Sequence, residues 1–417
     1  MALRVKHPRV SGRPTCVIRQ HTEVNFRRHD DRGPEIAVWT LAIDFGTSYT
    51  TAAAATADQV SMIEVENSRY LPSAVCLDDE GELRTGQLAL RLAAQRPQAA
   101  ERVPKRALTT QSQVRLGSRT FTAVDLVAAV LDRVRSEAVA ANDGQPPGRV
   151  VLTHPARWGE RERGLLGKAA AAAGLPEPEL MAEPVAAARY YASRHPVAID
   201  GHVGVYDLGG GTFDAAVVQH TATGFAVAGP PGGDPELGGE DFDQALLDLV
   251  GRRAVDADPE PWYQLWHGDD DAAMRARAAL TRNAREVKES LTEVTLGYLD
   301  VPGYEHQFLV RRHEFTESVL DLLDETVDRF LETVAAAGVA PGDLASVVLA
   351  GGASRMPAVS DRIHDRTGLL ASAVNDPKGV VVMGAALPAD TARPAPEQRR
   401  RPRDAPRFFT VRNPFDS

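Results

Sequence analysis

Cysteine and long apolar runs are what this 417-residue chain most plainly lacks, and each absence removes a class of protein. With only Cys16 and Cys76, neither a disulfide framework nor a thiolate metal site is expected, and a reducing cytoplasm is the expected setting. The eleven histidines nowhere adopt His-x-x-His spacing, so no zinc site is read. No apolar stretch approaches the length of a membrane span, and the first residues hold no signal-type apolar core because Arg, His and Pro interrupt them. Neither glycine-rich turn is followed by Gly-Lys-Ser/Thr, which sets a Walker P-loop aside.

What is present is an ordinary globular composition, 43% hydrophobic and 25% charged, in a chain too long for one core. The net charge of −10 conceals an asymmetry. Residues 1–40 carry eight Lys/Arg against four acids and residues 388–417 carry seven against four, which leaves a core near −17. So acidic a core argues against nucleic acid as a partner. Residues 1–38, rich in Arg, His and Pro without apolar period, read as a disordered basic extension, and residues 389–417 as a Pro/Arg-rich tail.

Two stretches carry the chemistry. Val203 to Val218 reads as strand, tight turn and strand, with Asp207 at the turn's entry, Gly209, Gly210 and Gly211 in it, and Thr212 closing it. Glycines that accept positive φ let successive N–H groups form a concave nest for phosphate. The Asp supplies a hard oxygen for Mg²⁺, usually through the ion's own waters. Trp39 to Ala53 repeats the plan, and by residue type Asp44, Gly46 and Thr47 are matched with Asp207, Gly211 and Thr212. Two such hairpins predict two related halves sharing one cleft.

Between these landmarks, Tyr70–Leu77 reads as one strand, Leu88–Ala100 and Thr122–Ala141 as helices, residues 229–236 as a loop, Thr295–Val310 as a hairpin and Arg312–Gly338 as a helix. His154, in the turn after the strand Arg149–Thr153, is read as structural, because no partner for a catalytic base is identifiable.

Together with the hairpins, Ala182-Glu-Pro-Val-Ala-Ala-Ala188, Leu237-Gly-Gly-Glu-Asp-Phe-Asp243 and Leu349-Ala-Gly-Gly-Ala-Ser-Arg-Met-Pro357 resemble, in order, the blocks of the ATPase domain of the 70-kilodalton heat-shock (DnaK-like) chaperones, within the actin-like ATPase superfamily. The likeness runs from about residue 40 to about 388. It implies an α/β, bilobal actin-like ATPase fold: two ribonuclease-H-like halves, each with an added small subdomain, around a central nucleotide cleft. Lobe I is expected over 39–196, with 376–388 returning to it, and lobe II over 197–375. A DnaK-like chaperone would continue into a peptide-binding domain, and none is read here.

The resemblance also implies roles. Lys105, in a Lys-Arg pair, would reach over the transferring phosphate; Asp44, Asp207 and Glu183 would hold Mg²⁺ through water; Thr212 would bind phosphate. The phosphate turns would add Gly46, Thr47, Ser48 and Tyr49 on one side and Gly209 to Gly211 on the other. The nucleoside would lie against Arg285, Lys288, Glu289 and Thr292, and against Gly351, Gly352, Ala353, Ser354 and Arg355. Several of these depart from the family: Arg285 replaces a Glu, Glu289 a basic residue, Thr292 and Ala353 each a Ser, and Lys378 an Asp near the base. Arg285 and Glu289, four apart on a helix, are expected to form a swapped ion pair.

The expected activity is hydrolysis of Mg-ATP to ADP and phosphate by a slow, monomeric, chaperone-type switch in the stress-response class, read by a co-chaperone, an exchange factor or a separate client-binding protein. A nucleotide-sensing scaffold that hardly turns over is the alternative from another class; a filament protein or a small-molecule kinase on the same fold is a third.

Overall fold

A computed structural model describes residues 39–372 and 376–388, all within one unit, Val38–Ser417. The expected extension over 1–38 and tail over 389–417 lie outside the described residues. Two mixed sheets dominate. The first orders its strands Val60–Ile63, Tyr49–Ala55, Thr40–Phe45, Arg149–His154 and Glu179–Ala182, with Leu71–Pro72 as a further partner of Tyr49–Ala55. The second runs Gly224–Asp234, Phe213–Thr221, His202–Leu208, Leu344–Ala350 and Ala371–Ser372. In each, three successive strands form an antiparallel meander, and the first of them pairs in parallel with a much later strand. The two sheets therefore repeat one topology.

The helices repeat it too. Ala123–Ala141 and Leu320–Ala336 precede the parallel strands, Glu160–Ala172 and Pro357–Thr367 follow them, and Glu183–Ala192 and Val380–Ala386 close each set. The first of these starts where the sequence placed it, because Thr122 accepts the Asp125 N–H and Asp125 accepts the Thr122 N–H. The two closing helices pack on one another and each reaches across: Val380–Ala386 lies on the first sheet, while Glu183–Ala192 lies against the second. The layer between the sheets is built from small side chains, among them Ala42, Ala53, Ala186, Ala187, Val205, Val348 and Val382, all buried. Larger residues such as Phe45 and Leu126 fill the core on the far side of the first sheet, and Phe242 and Phe330 that of the second.

Four local expectations are corrected. The helix expected over Leu88–Ala100 runs Gly86–Gln95 and gives way to a 3-10 turn at Pro97–Ala99 and a short strand, Ala100–Glu101, because Pro97 cannot continue it. Tyr70–Leu77 is not one strand: Leu71–Pro72 joins the first sheet and Val75–Leu77 a small separate one. The break falls at Ser73, whose Oγ donates to the Gly46 carbonyl at 2.9 Å and pins the first turn. Residues 229–236 are not a loop, because the strand Gly224–Asp234 runs through them. It is an edge strand, where Pro230 and Pro231 cost no ladder bond to a further neighbour, and a register shift opposite Ala215 to Val217 absorbs the misfit. The helix expected over Arg312–Gly338 breaks at Val319 into Arg312–Ser318 and Leu320–Ala336.

Candidate functional site

Both hairpins open onto one cavity of about 600 Å³ lined by residues of both sheets. Within the first turn Gly46 N–H donates to the Tyr49 carbonyl at 3.1 Å, and within the second Gly209 N–H donates to the Thr212 carbonyl at 2.9 Å. Across the strands Asp44 pairs with Thr51 and Asp207 with Asp214. The match made on residue type is thereby corrected: Gly46 answers to Gly209 and Tyr49 to Thr212, without a gap. The turns face each other closely. A Cβ on Gly210 would stand 2.2 Å from Ser48 Oγ, so glycine here lets the second turn come this near the first without displacing the Ser48 side chain. Ser48 Oγ and Thr51 Oγ1 are buried without a hydrogen-bond partner among the described residues, and both residues line the cavity.

Beside the turns four carboxylates gather around one ammonium. Lys105, in the first turn of the helix Pro104–Thr110, donates Nζ to Glu183 Oε1 at 2.7 Å, with both side chains about one-tenth exposed. Glu183 opens its helix directly after the strand Glu179–Ala182, with Pro184 next, so its carboxylate sits at the positive end of the helix. Burial works against charge on Lys105, but Glu183, Asp44 and Asp214 more than offset it and its pKa is raised. Burial and the neighbouring Glu183 push Asp44 up to about 6, against Lys105 and the Thr153 hydroxyl, which donates to it at 2.6 Å. Asp207 is raised well above the usual carboxylate range by burial, then by Glu183, Asp214 and Asp44. Asp214 is pushed up to about 6 by burial, opposed first by Arg157. Such a cluster carries more negative charge than Lys105 and Arg157 together balance, which is the electrostatic condition for holding a cation. No three carboxylate, histidine or thiol groups among the described residues come close enough together to ligate an ion directly. The donor set fits a hydrated cation held through its waters.

At the other end of the cavity Lys288 Nζ is consumed by protein, donating to the Gly239 carbonyl and pairing with Asp243, each at 2.6 Å. Arg285 and Glu289 stand 3.6 Å apart on their helix, and Lys378 reaches the same Glu289 oxygen at 3.6 Å. Above Tyr49 lie both the Arg285 guanidinium, 5.3 Å from the ring centre, and the Lys378 ammonium at 4.9 Å. The stem of Lys378 crosses Gly352, its Cε 2.5 Å from where a Cβ would sit. Gly351 has φ +79°, and a Cβ there would meet the Leu208 carbonyl and Asp207 Oδ1.

Of the residues singled out in the sequence, Asp44, Gly46, Thr47, Ser48, Tyr49, Lys105, Glu183, Asp207, Gly209, Gly210 and Thr212 line the cavity around the turns. Arg285, Lys288, Glu289, Thr292, Gly351, Gly352 and Ala353 line the remainder. Three do not. Gly211 is covered by Gly238, Ser354 is buried with its Oγ donating to the Ala350 carbonyl and accepting from Leu208 N–H, and Arg355 turns to Glu293 at 3.1 Å. Asp214, Arg157, Trp158 and Thr153 were not singled out. Asp214 was discoverable, since strand alternation across the turn places it opposite Asp207. His154 is buried outside the cavity wall, its Nδ1 2.9 Å from the Pro155 carbonyl.

Two topologically equivalent α/β halves, each presenting an Asp-bearing hairpin to a shared cleft, define a nucleotide-binding protein of the actin-like ATPase kind. A family model described as Hsp70 protein matches residues 101–400, and the chain belongs to the Hsp70 family. Members of that family bind ATP and ADP, are ATPases, and work with co-chaperones and clients, so this chain falls among nucleotide-binding chaperone proteins. No helix among the described residues is long and apolar enough to cross a membrane.

Proposed function

We propose that this chain binds Mg-ATP in the cleft and hydrolyses it to ADP and phosphate, opening and closing as a chaperone-type switch. The observation that carries the reading is the pair of facing turns, with two unpartnered hydroxyls, beside four carboxylates that share Lys105. Backbone N–H groups of the turns over 46–49 and 209–212 cradle phosphate oxygens, with the unpartnered Ser48 and Thr51 hydroxyls as further donors. Asp44, Asp207 and Glu183 would hold Mg²⁺ through its waters, and the ion would supply neutralisation of phosphate charge. Lys105 lies over the terminal phosphate, and Glu183, 2.7 Å from it, fixes its direction. Asp207 or Glu183 orients the attacking water.

The test is single-turnover hydrolysis of Mg-ATP by the purified chain, with binding followed in the same sample. Hydrolysis lost in Lys105→Ala supports the proposal. Tight binding without turnover favours the sensing-scaffold reading, for which the Lys378 stem across Gly352 is the specific argument, because it narrows the space a base would use. No binding at all sinks both.

A further inference from the structure

One wall of the phosphate end belongs to neither hairpin. The strand Arg149–His154 runs out of the first sheet beside Asp44 and is followed by a short turn to Trp158. Over these few residues the chain touches three parts of the site. Thr153 Oγ1 donates to Asp44, the Trp158 ring lies 5.6 Å from Lys105 Nζ, and Arg157 Nη1 lies 3.3 Å from Asp214 Oδ1. The other oxygen of Asp214 accepts from Thr212 Oγ1 at 3.2 Å, so Arg157 is anchored to the very turn that would hold phosphate. Its side chain is one-third exposed, and the residue lines the cavity.

An arginine tied down only on the surface would be a solvated charge. This one is different in two respects. Its partner is a partly buried carboxylate in the charged cluster, and the pair joins a loop of the first sheet to a strand of the second. The guanidinium can use one face of its fork on Asp214 and still offer N–H donors to an anion.

Resting on the phosphate-cleft reading above, we infer that Arg157 is a further catalytic residue: a guanidinium supplied in cis that donates to the terminal phosphate as charge builds on its oxygens during transfer, and only when the two halves are closed enough for Asp214 to hold it. Arginines placed this way stabilise the transferring group far more than the bound nucleotide. Lys105 and Arg157 then approach the phosphate from different elements, one fixed by Glu183 and the other by Asp214.

The experiment compares wild type with Arg157→Gln in two readouts: the single-turnover rate with Mg-ATP, and the ratio of affinities for ADP with aluminium fluoride, a planar mimic of the transferring phosphoryl group, and ADP alone. The expected result is a rate at least about a hundredfold lower and a ratio reduced by a similar factor. Should Arg157→Gln fold poorly, Arg157→Lys, which keeps the charge but not the fork, is expected to show a smaller loss in both readouts. If Arg157 merely neutralises Asp214, then Asp214→Asn in the Arg157→Gln background restores both readouts, and that rescue overturns the inference. An unchanged ratio overturns it as well. A wild-type chain that binds ADP and hydrolyses ATP while Arg157→Gln matches it leaves the cleft reading standing and this one refuted; a wild-type chain that binds neither nucleotide refutes both.

Discussion

Removing Lys105 puts the charge arrangement of the cleft to its hardest test, because one ammonium serves four carboxylates. In Lys105→Ala, measured without nucleotide and with chelator present, Glu183 loses its 2.7 Å partner while Asp44, Asp207 and Asp214 lose the cation that lowers their proton affinity. Breaking a buried pair from one side costs about 3–5 kcal/mol. This pair borders an open cavity, so water relieves part of it and a loss of about 2–3 kcal/mol is expected. At about 2 °C per kcal/mol for a domain of this size, the melting temperature falls by roughly 4–6 °C. The loss is also pH-dependent. A carboxylate whose folded pKa lies above its unfolded value binds more protons when folded, so its contribution is full below the unfolded pKa and disappears as pH rises through the folded one. Asp44 at about 6, against 3.8 when unfolded, places that window between about pH 4 and 6, and removing Lys105 moves its upper edge higher. The variant therefore loses less against wild type at pH 5.5 than at pH 8, and adding Glu183→Gln recovers part of the stability but none of the turnover. Differential scanning calorimetry at the two pH values, beside single-turnover hydrolysis, reads all of this. Equal melting temperatures and equal rates for variant and wild type would refute the reasoning and leave Lys105 as an ordinary ion pair.

Gly384 lies where the two closing helices cross, and a Cβ there would stand 1.8 Å from the Ala186 carbonyl, so Gly384→Ala is expected to cost about 2–3 kcal/mol in urea unfolding; an unchanged midpoint would show that the helices separate freely. Burial lowers the pKa of His154, so its contribution to stability is present above about pH 6.5 and is lost as pH falls through the folded value. His154→Gln should flatten the stability difference between pH 7 and 5.5 without abolishing turnover, whereas loss of turnover with intact folding would make His154 part of the chemistry. Lys378→Ala removes a stem from Gly352 and an ammonium from the Tyr49 and Tyr70 rings, and ADP is expected to bind about three- to tenfold tighter by calorimetric titration; weaker binding would mean that Lys378 holds the ligand rather than obstructs it.

How far the sequence reaches depends on the distance over which each interaction acts. The hairpins were legible because strand, glycine turn and strand are local signals, and the doubled topology followed from seeing the hairpin twice. Their alignment by residue type failed by two positions, since Gly46 pairs within its turn as Gly209 does and the hydrogen-bond ladder, not the Gly-Thr dipeptide, sets the correspondence. The edge strand through Pro230 and Pro231 was missed for a related reason: proline forbids a ladder bond only where a neighbour exists, and edge position is a tertiary fact.

The least legible residues are those that act across the cleft. Arg157 meets Asp214 57 positions away and Thr153 meets Asp44 across 109, so nothing in their local pattern separates them from surface polar residues. Charge offers a partial remedy. Four clustered acids and one lysine leave negative charge that something must balance, and any arginine on a loop entering that space becomes a candidate once the carboxylates are placed. The same reasoning separates the two ends of the cavity. Around the turns the protein's own cations fall short of its acids, which favours Mg²⁺, whereas at the far end Lys288 is already neutralised by Asp243, and Lys378 shares Glu289 with Arg285. A ligand entering there gains less from charge and must displace the Lys378 stem from Gly352. The cleft is therefore expected to hold its nucleotide chiefly by the phosphates, so loss of the terminal phosphate should change its affinity more than a change of base.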